Sequence, residues 1–208
     1  GTELFNKGDL EGAIAEYRAG LHVRPNHAGA QYKRGPALQK KGDLKEAIAA
    51  YRAALRLSPD HIDIHCSLGA ALQKKGDVMG AIAEYQAVLR LNPDHVDAHY
   101  NLGTALRKNG DLRGAIAEYR HALRLNPHEV DAHHSLGVAL QKEGNLEGAI
   151  AEYRTALELT PNNGGVHRNL GTALQEKGDL PGAIAEYRAA LHLSPDHAGS
   201  HFSLGTAL

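Results

Sequence analysis

The chain has 208 residues, 42% of them apolar, and a formal net charge of −1. The near-equal numbers of acidic and basic residues argue against nucleic-acid and anionic-membrane partners, because both favour proteins with an excess of basic residues. The longest apolar run, 47–51, is far shorter than the about 20 residues of a membrane-spanning helix. One cysteine, Cys66, excludes an internal disulfide but does not fix the compartment. A soluble, cytoplasmic protein is favoured.

Proline, glycine and tyrosine each recur every 34 residues, in series that begin at Pro25, Gly1 and Tyr17. A period of this length predicts stacked supersecondary units rather than one closed core. We number the positions of a repeat 1–34, with this glycine at position 8. In chain order the repeats are a partial one at 1–27, full ones at 28–61, 62–95, 96–129, 130–163 and 164–197, and a partial one at 198–208. We predict one array over 1–208, a piece of a longer one.

Each repeat is predicted to form two helices, as 96–129 illustrates. Apolar residues at helical spacing define a first helix that Gly110 ends, and a second apolar stripe follows. Asp111 can cap the second helix, and the proline at position 32 prevents its continuation. Asp94 and Asp97 are interpreted as a capping box for the first helix. No segment alternates with a period of two residues, so the sequence predicts an all-α fold without a sheet.

Two residues of the predicted helix 28–41 depart from the pattern. Pro36 stands where other repeats have Thr, Ala or Val, and Arg34 replaces the leucine of a core position. Proline removes a backbone donor and destabilises a helix interior by about 3 kcal/mol. We expect this helix to be kinked or weak near Pro36.

The motif resembles the tetratricopeptide repeat, a helix–turn–helix unit of about 34 residues. In 96–129 the matching residues are Leu102, Gly103, Ala115 and Pro127, with Tyr119 in the usual phenylalanine position. The small residues Gly103 and Ala115 are expected where two helices cross closely. The resemblance covers the whole chain. It implies a right-handed α-solenoid of stacked helix–turn–helix units that acts as a non-catalytic scaffold for protein–protein interaction.

Histidines recur at positions 4 and 34 and form i, i+4 pairs at predicted helix starts, namely His61 with His65, His95 with His99, and His197 with His201. A metal ion can bridge such a pair, but zinc sites use three or four protein ligands and no third is evident. We therefore predict no metal and no cofactor. In the resembled family position 4 packs on the preceding repeat, so these rings are interpreted as half-buried spacers. Burial and the helix terminus would disfavour imidazolium, and melting would then occur earlier at pH 5 than at pH 8.

No catalytic constellation stands out in the sequence. Serine, histidine and aspartate lie in equivalent positions of successive repeats, so none forms a unique triad. Nothing in the pattern activates Cys66 as a nucleophile. We predict that the protein is not an enzyme and has no catalytic residue.

The resemblance implies that the first helices line a concave groove through positions 2, 5, 6, 9, 12 and 13. Position 5 changes from each full repeat to the next, whereas the core positions hardly vary. Asparagine at position 6 can both donate to and accept from a peptide backbone. Lysines at position 13 and aspartates at position 2 favour a peptide of mixed charge. The predicted peptide-binding residues are Tyr100, Asn101, Thr104, Lys108, His134, Arg168, Asn169 and Thr172.

Two alternatives to this function remain open. The chain could be the substrate-recruitment arm of a larger enzyme such as a sugar transferase, because arrays of that kind resemble it through asparagines at position 6, here Asn101 and Asn169. It could also be a structural solenoid that associates head to tail through uncapped ends. The two-carboxylate clamp of chaperone-binding relatives is absent, since Cys66 and Ala70 occupy positions that the clamp fills with Lys and Asn.

Overall fold

The computed structural model describes all residues 1–208, and it contains thirteen α-helices and no strand. The predicted all-α fold class is confirmed. The chain divides into two compact units, Gly1–Ala105 (unit 1) and Leu106–Leu208 (unit 2). In chain order the helices are α1 (Thr2–Asn6), α2 (Leu10–Val23), α3 (Ala28–Lys41), α4 (Leu44–Leu57), α5 (Ile62–Lys75), α6 (Val78–Leu91), α7 (Val96–Lys108), α8 (Leu112–Leu125), α9 (Val130–Glu143), α10 (Leu146–Leu159), α11 (Gly164–Lys177), α12 (Leu180–Leu193) and α13 (Ala198–Ala207).

Odd-numbered helices are the first helices of the repeats, and we call them A helices; even-numbered helices are B helices. Within unit 1, α3 forms a hairpin with α4 and α5 with α6, and α4 packs on α5. Within unit 2, α9 pairs with α10 and α11 with α12, and α10 packs on α11. Each unit is therefore a stack of helical hairpins; a single continuous array over 1–208 stays a prediction. No helix combines the length and apolar character that a bilayer crossing needs.

The turn inside each repeat follows the predicted chemistry. Gly110 has φ +88°, a left-handed conformation that favours glycine, and it ends α7. The backbone N–H of Gly114 donates to Oδ1 of Asp111 at 2.8 Å, which confirms the predicted cap of α8. The same left-handed glycine recurs at the equivalent positions Gly8, Gly42, Gly76, Gly144 and Gly178.

The predicted capping box at Asp94 and Asp97 is wrong. Helix α7 begins at Val96, so His95 is the residue that flanks its first turn. The ring Nδ1 of His95 accepts from the backbone N–H of Ala98 at 3.2 Å. His27 and His197 cap α3 and α13 in the same way, whereas His61 makes no such hydrogen bond at the start of α5. Three of the four position-34 histidines therefore have a capping function that the sequence analysis did not predict.

In four repeats the core joins the tyrosine of the B helix to the glycine of the preceding A helix. Tyr153 and Tyr187 are fully buried. A Cβ added at Gly137 would lie 2.6 Å from Cε1 of Tyr153, and one at Gly171 would lie 2.7 Å from Cε1 of Tyr187. The absence of a side chain at position 8 therefore lets the two helices of these repeats approach closely.

We expect Gly171→Ala to lower the free energy of unfolding by about 1–3 kcal/mol, because the new methyl group must displace a tyrosine that is already closely packed. Gly20→Ala is the matched control. Gly20 lies inside α2, and nothing would lie within 4 Å of its added Cβ. This control should raise stability by about 0.5–1 kcal/mol through helix propensity alone. Urea denaturation of both variants measures the difference, and a stabilised Gly171→Ala variant would contradict the packing argument.

Helix α3 continues through both unusual residues from Ala28 to Lys41. Pro36 has no N–H to offer the carbonyl of Tyr32, four residues earlier. Arg34 is half-buried, and its buried Nε has no hydrogen-bond partner. The expected local weakness of α3 stays a prediction.

Candidate functional site

The predicted peptide-binding residues lie on A helices, outside the apolar core. In unit 1, α7 carries Tyr100, Asn101 and Thr104, all half-buried. In unit 2 the exposed Lys108 is at the end of α7, and half-buried His134, Arg168, Asn169 and Thr172 lie on α9 and α11.

A hollow of about 300 Å³ lies between α9 and α11, and we call it the unit 2 hollow. Two predicted residues, Asn169 and Thr172, are in its wall. A third, His134, adjoins them, because its Nε2 lies 2.8 Å from Nδ2 of Asn169. The complete lining is Val138, Gln141, Lys142, Tyr153, Asn169, Thr172 and Glu176.

Burial lowers the pKa of His134, and the positive charges of Arg107 and Arg168 act in the same direction, whereas Asp131 opposes them. The neutral ring is the form that can accept the N–H of Asn169. The ring of His134 also rests against Tyr153, with 6.0 Å between centroids. These contacts fix the orientation of the Asn169 amide beside the unit 2 hollow.

Arg168 lies next to Asn169 in sequence but points to a different contact. Its Nη1 is 3.0 Å from Nε2 of His197, and it lines a separate, smaller hollow with Gly164, Ser194 and Ser200. The structure therefore brings His134, Asn169 and Thr172 together and places Arg168 apart from them.

A second A-helix hollow, of about 510 Å³, lies in unit 1, and we call it the unit 1 hollow. Lys40 and Lys74 are in its wall, together with apolar side chains, and no acidic residue lines it. The ammonium of Lys40 is 5.4 Å from the ring centroid of Phe5, which is cation–π distance. The complete lining is Phe5, Pro36, Gln39, Lys40, Tyr51, Ser67, Ala70 and Lys74. None of these was a predicted binding residue, although they occupy positions 6, 9, 12 and 13 as well as the core.

The sequence reading also missed a hydrogen bond that borders both hollows. Position 12 is glutamine in four repeats, and its side-chain oxygen accepts from the tyrosine hydroxyl at position 24. The distances are 3.2 Å for Tyr51 and Gln39 and 2.9 Å for Tyr153 and Gln141. Burial raises the pKa of Tyr85 in the same position to about 12, so the hydroxyl remains a donor at neutral pH. The recurrence of glutamine at position 12 was the available signal.

The position-4 histidines have partners that the sequence reading did not foresee. Nδ1 of His65 lies 2.6 Å from Oε2 of Glu84, and its Nε2 lies 2.7 Å from the carbonyl oxygen of Pro59. A neutral imidazole has one N–H and can donate to only one of these two acceptors. These rings are half-buried, as the sequence predicted, and in addition they have specific partners. The same arrangement joins His133 with Glu152 and Pro127, and His167 with Glu186 and Pro161.

The structure gathers no group of three or more His, Cys, Asp or Glu side chains that could hold a metal ion. Burial raises the pKa of Cys66 to about 11, and Asp63 and Asp97 contribute in the same direction. Its thiol is therefore protonated at neutral pH, and a thiol is a much weaker nucleophile than a thiolate.

Comparison with curated protein sequences finds no match. Among solved structures, YrrB, described as a TPR protein with an unusual peptide-binding site, is 22% identical, with a TM-score of 0.75 over 90% of this chain and 96% of its own. MamA from Desulfovibrio magneticus RS-1 is 23% identical, with a TM-score of 0.78 over 82% of this chain and 97% of its own. A thermophilic TPR protein of Thermus thermophilus is 21% identical, with a TM-score of 0.64 over 87% of this chain and 98% of its own. These likenesses show the fold.

Two family models match the sequence. One, described as tetratricopeptide repeat, matches residues 66–127 and 100–164. The other, described as TPR repeat, matches residues 1–42, 38–76 and 172–208, which is more than half of the chain. Together with the stacked helical hairpins, these matches show that the chain belongs to the tetratricopeptide repeat family.

Proposed function

We propose that this protein is a non-catalytic scaffold that binds an extended segment of a partner protein on the faces of its A helices. The family fold is a protein-interaction fold. The observation that carries the proposal is that the A helices of each unit border a hollow with polar side chains at non-core positions. Core positions repeat almost unchanged, so the fold does not require this variation. YrrB, described as having an unusual peptide-binding site, supports the same class of function.

In the unit 2 hollow, backbone hydrogen bonding is the proposed mode of recognition. His134 takes one N–H of the Asn169 amide, and this leaves the side-chain oxygen and the second N–H for a peptide group. Lys142 and Glu176, both in the lining, provide one cation and one anion. A segment of mixed charge fits this site.

In the unit 1 hollow, charge is the proposed mode of recognition. Lys40 and Lys74 are not offset by an acidic lining residue, while Phe5, Pro36 and Ala70 supply apolar contact area. This hollow suits acidic side chains next to an apolar one. Further contacts are proposed at the remaining predicted residues, Tyr100, Asn101, Thr104, Lys108 and Arg168.

The experiment selects ligands from a display library of random twelve-residue peptides and then measures their affinities by fluorescence anisotropy. We expect selected peptides to lose about tenfold in affinity with Lys142→Glu/Asn169→Ala or with Lys40→Glu/Lys74→Glu, because one charge-assisted hydrogen bond is worth about 1.5–3 kcal/mol. Which pair matters identifies the hollow that is used.

Lys45→Glu is the matched control, because this side chain is exposed on the B helix α4 and lines neither hollow. Circular dichroism must show that all variants retain their helix content. Peptides that bind equally well to both hollow variants would refute the proposal. Recovery of no peptide, with association that rises with protein concentration, would favour the self-associating alternative.

A further inference from the structure

A third hollow lies away from the A-helix hollows, and we call it the arginine pocket. It has a volume of about 390 Å³ and lies where α4, the following loop and α5 meet α6. On α5 it is bordered by His65 and Leu68, whereas the unit 1 hollow is bordered by Ser67, Ala70 and Lys74 of the same helix. The complete lining is Arg52, Leu55, Arg56, Pro59, His65, Leu68 and Glu84.

The arginine pocket combines apolar walls with two unopposed cations. Arg52 and Arg56 are exposed, lie one helical turn apart on α4, and form no ion pair with a carboxylate of the chain. The one acidic lining residue, Glu84, is held by Nδ1 of His65 at 2.6 Å. Leu55 is half-buried and Pro59 is exposed, so these two residues form the accessible apolar part, and Leu68 is buried beneath them. Accessible apolar area beside unpaired charges is typical of a site that a partner covers.

The same residue set recurs 68 residues later in the sequence. Every lining residue has an identical counterpart in unit 2, namely Arg120, Leu123, Arg124, Pro127, His133, Leu136 and Glu152. In unit 2 the His133–Glu152 contact of 2.7 Å also matches, and Arg120 and Arg124 are exposed. Folding does not require arginine at these two positions, since position 25 is Gln86 and position 29 is Glu158 in other repeats.

We propose that the arginine pocket and its counterpart in unit 2 are docking sites for an acidic protein segment that carries an apolar side chain. The apolar side chain lies on Leu55 and Pro59, and flanking carboxylates pair with the guanidinium groups of Arg52 and Arg56. Arginine suits this task because its planar donors match a carboxylate in two parallel hydrogen bonds. The apolar walls favour a protein segment over a phosphate backbone, which has no apolar group to place there. The proposal does not depend on binding at the A-helix hollows.

The test titrates the 15N-labelled protein with the peptide acetyl-Glu-Glu-Leu-Phe-Glu-Glu-amide and follows backbone amide shifts by NMR. We expect shifts around Leu55 and Leu68 and around their counterparts Leu123 and Leu136. The same peptide with Lys for Glu, or with Ser-Ser for Leu-Phe, should bind at least about tenfold more weakly.

Matched variants separate the two kinds of site. Glutamine is a suitable replacement for these arginines, because Gln86 occupies position 25 in the repeat 62–95. The variant Arg52→Gln/Arg56→Gln/Arg120→Gln/Arg124→Gln should bind the peptide about tenfold or more weakly. Lys40→Gln/Lys74→Gln should leave these shifts unchanged. At the equivalent place 34 residues after the unit 2 counterpart, only Glu158 differs from the residues that line the arginine pocket. The variant Glu158→Arg should therefore create a third site and add shifts around Leu157 and Leu170.

Several outcomes would overturn the proposal. Shifts that fall only on residues of the A-helix hollows would assign the peptide to those sites. Equal binding of a single-stranded DNA twelve-mer, lost with the same four substitutions, would indicate a general anion site. Shifts that depend on protein concentration without peptide would indicate a second copy of the chain as the occupant.

Discussion

His133→Gln and Glu152→Ala are each expected to lower the free energy of unfolding by about 2 kcal/mol, and the double variant is expected to lose about 1.5–3 kcal/mol less than the sum of the two. The two ring nitrogens of His133 each lie within hydrogen-bond distance of an acceptor, Oε2 of Glu152 at 2.7 Å and the carbonyl oxygen of Pro127 at 3.0 Å. The His133 and Glu152 side chains are 12% and 27% exposed, so a partner left alone would be poorly hydrated.

The chain itself contains the double substitution. In the repeat 28–61, position 4 is Gln31 and position 23 is Ala50, whereas each other full repeat has histidine with glutamate at these positions. The two residues change together, as expected of a pair whose members depend on each other. Oε1 of Gln31 is buried without a hydrogen-bond partner, so the replacement pair is expected to be less stable than the original pair.

The measurement is a double-mutant cycle by urea denaturation, with matched helix content in all four proteins. The control cycle uses Lys177 and Glu147, an ion pair of 3.3 Å whose side chains are 48% and 83% exposed. Exposed pairs contribute about 0.2–1 kcal/mol, so the control coupling should be smaller than that of His133 and Glu152. Equal coupling energies in the two cycles would show that the histidine arrangement has no special strength.

The parts of the fold that the sequence predicted correctly are governed by local chemistry. The turn after α7 requires a left-handed residue, which is Gly110, and Asp111 caps the start of α8. Both could be predicted from residues three or four positions away. The pair of His133 and Glu152 joins residues 19 positions apart on two helices. A periodicity argument treats each helix separately and misses such a contact. The joint change at Gln31 and Ala50 was nevertheless present in the sequence.

The candidate site divides in the same way. Asn169 and Thr172 face the unit 2 hollow because backbone geometry fixes the face of a helix that each position occupies. Arg168 has a long side chain with several rotamers, and its contact is with His197, 29 residues away at the other end of the same repeat. Phe5 occupies position 12, one of the positions that the resemblance places in the groove, and it lies in the unit 1 hollow. Side-chain reach therefore limits what position alone can predict.

We expect Arg34→Leu to raise the free energy of local unfolding of α3 by about 2 kcal/mol. We expect Pro36→Ala to raise it by about 3 kcal/mol. Leucine is the residue at position 7 of every other repeat, and Leu68 is only 1% exposed there. Burial, with Arg18 nearby, lowers the pKa of Arg34 below its usual value, and its Nε has no partner. Leucine would remove this poorly compensated charge. Alanine at position 36 would restore the hydrogen bond to the carbonyl of Tyr32 that proline cannot form.

Repeats unfold in part independently, so the measurement is hydrogen exchange of the α3 amides rather than the global midpoint alone. Slower exchange in both variants is expected, with incomplete additivity because the two residues share one helix. Lys33→Gln, on the exposed side of α3, is the control, and it should change the free energy of local opening by less than about 0.5 kcal/mol. Unchanged exchange in Pro36→Ala would mean that the surrounding helices already stabilise α3 fully, and the weakness predicted for it would then be wrong.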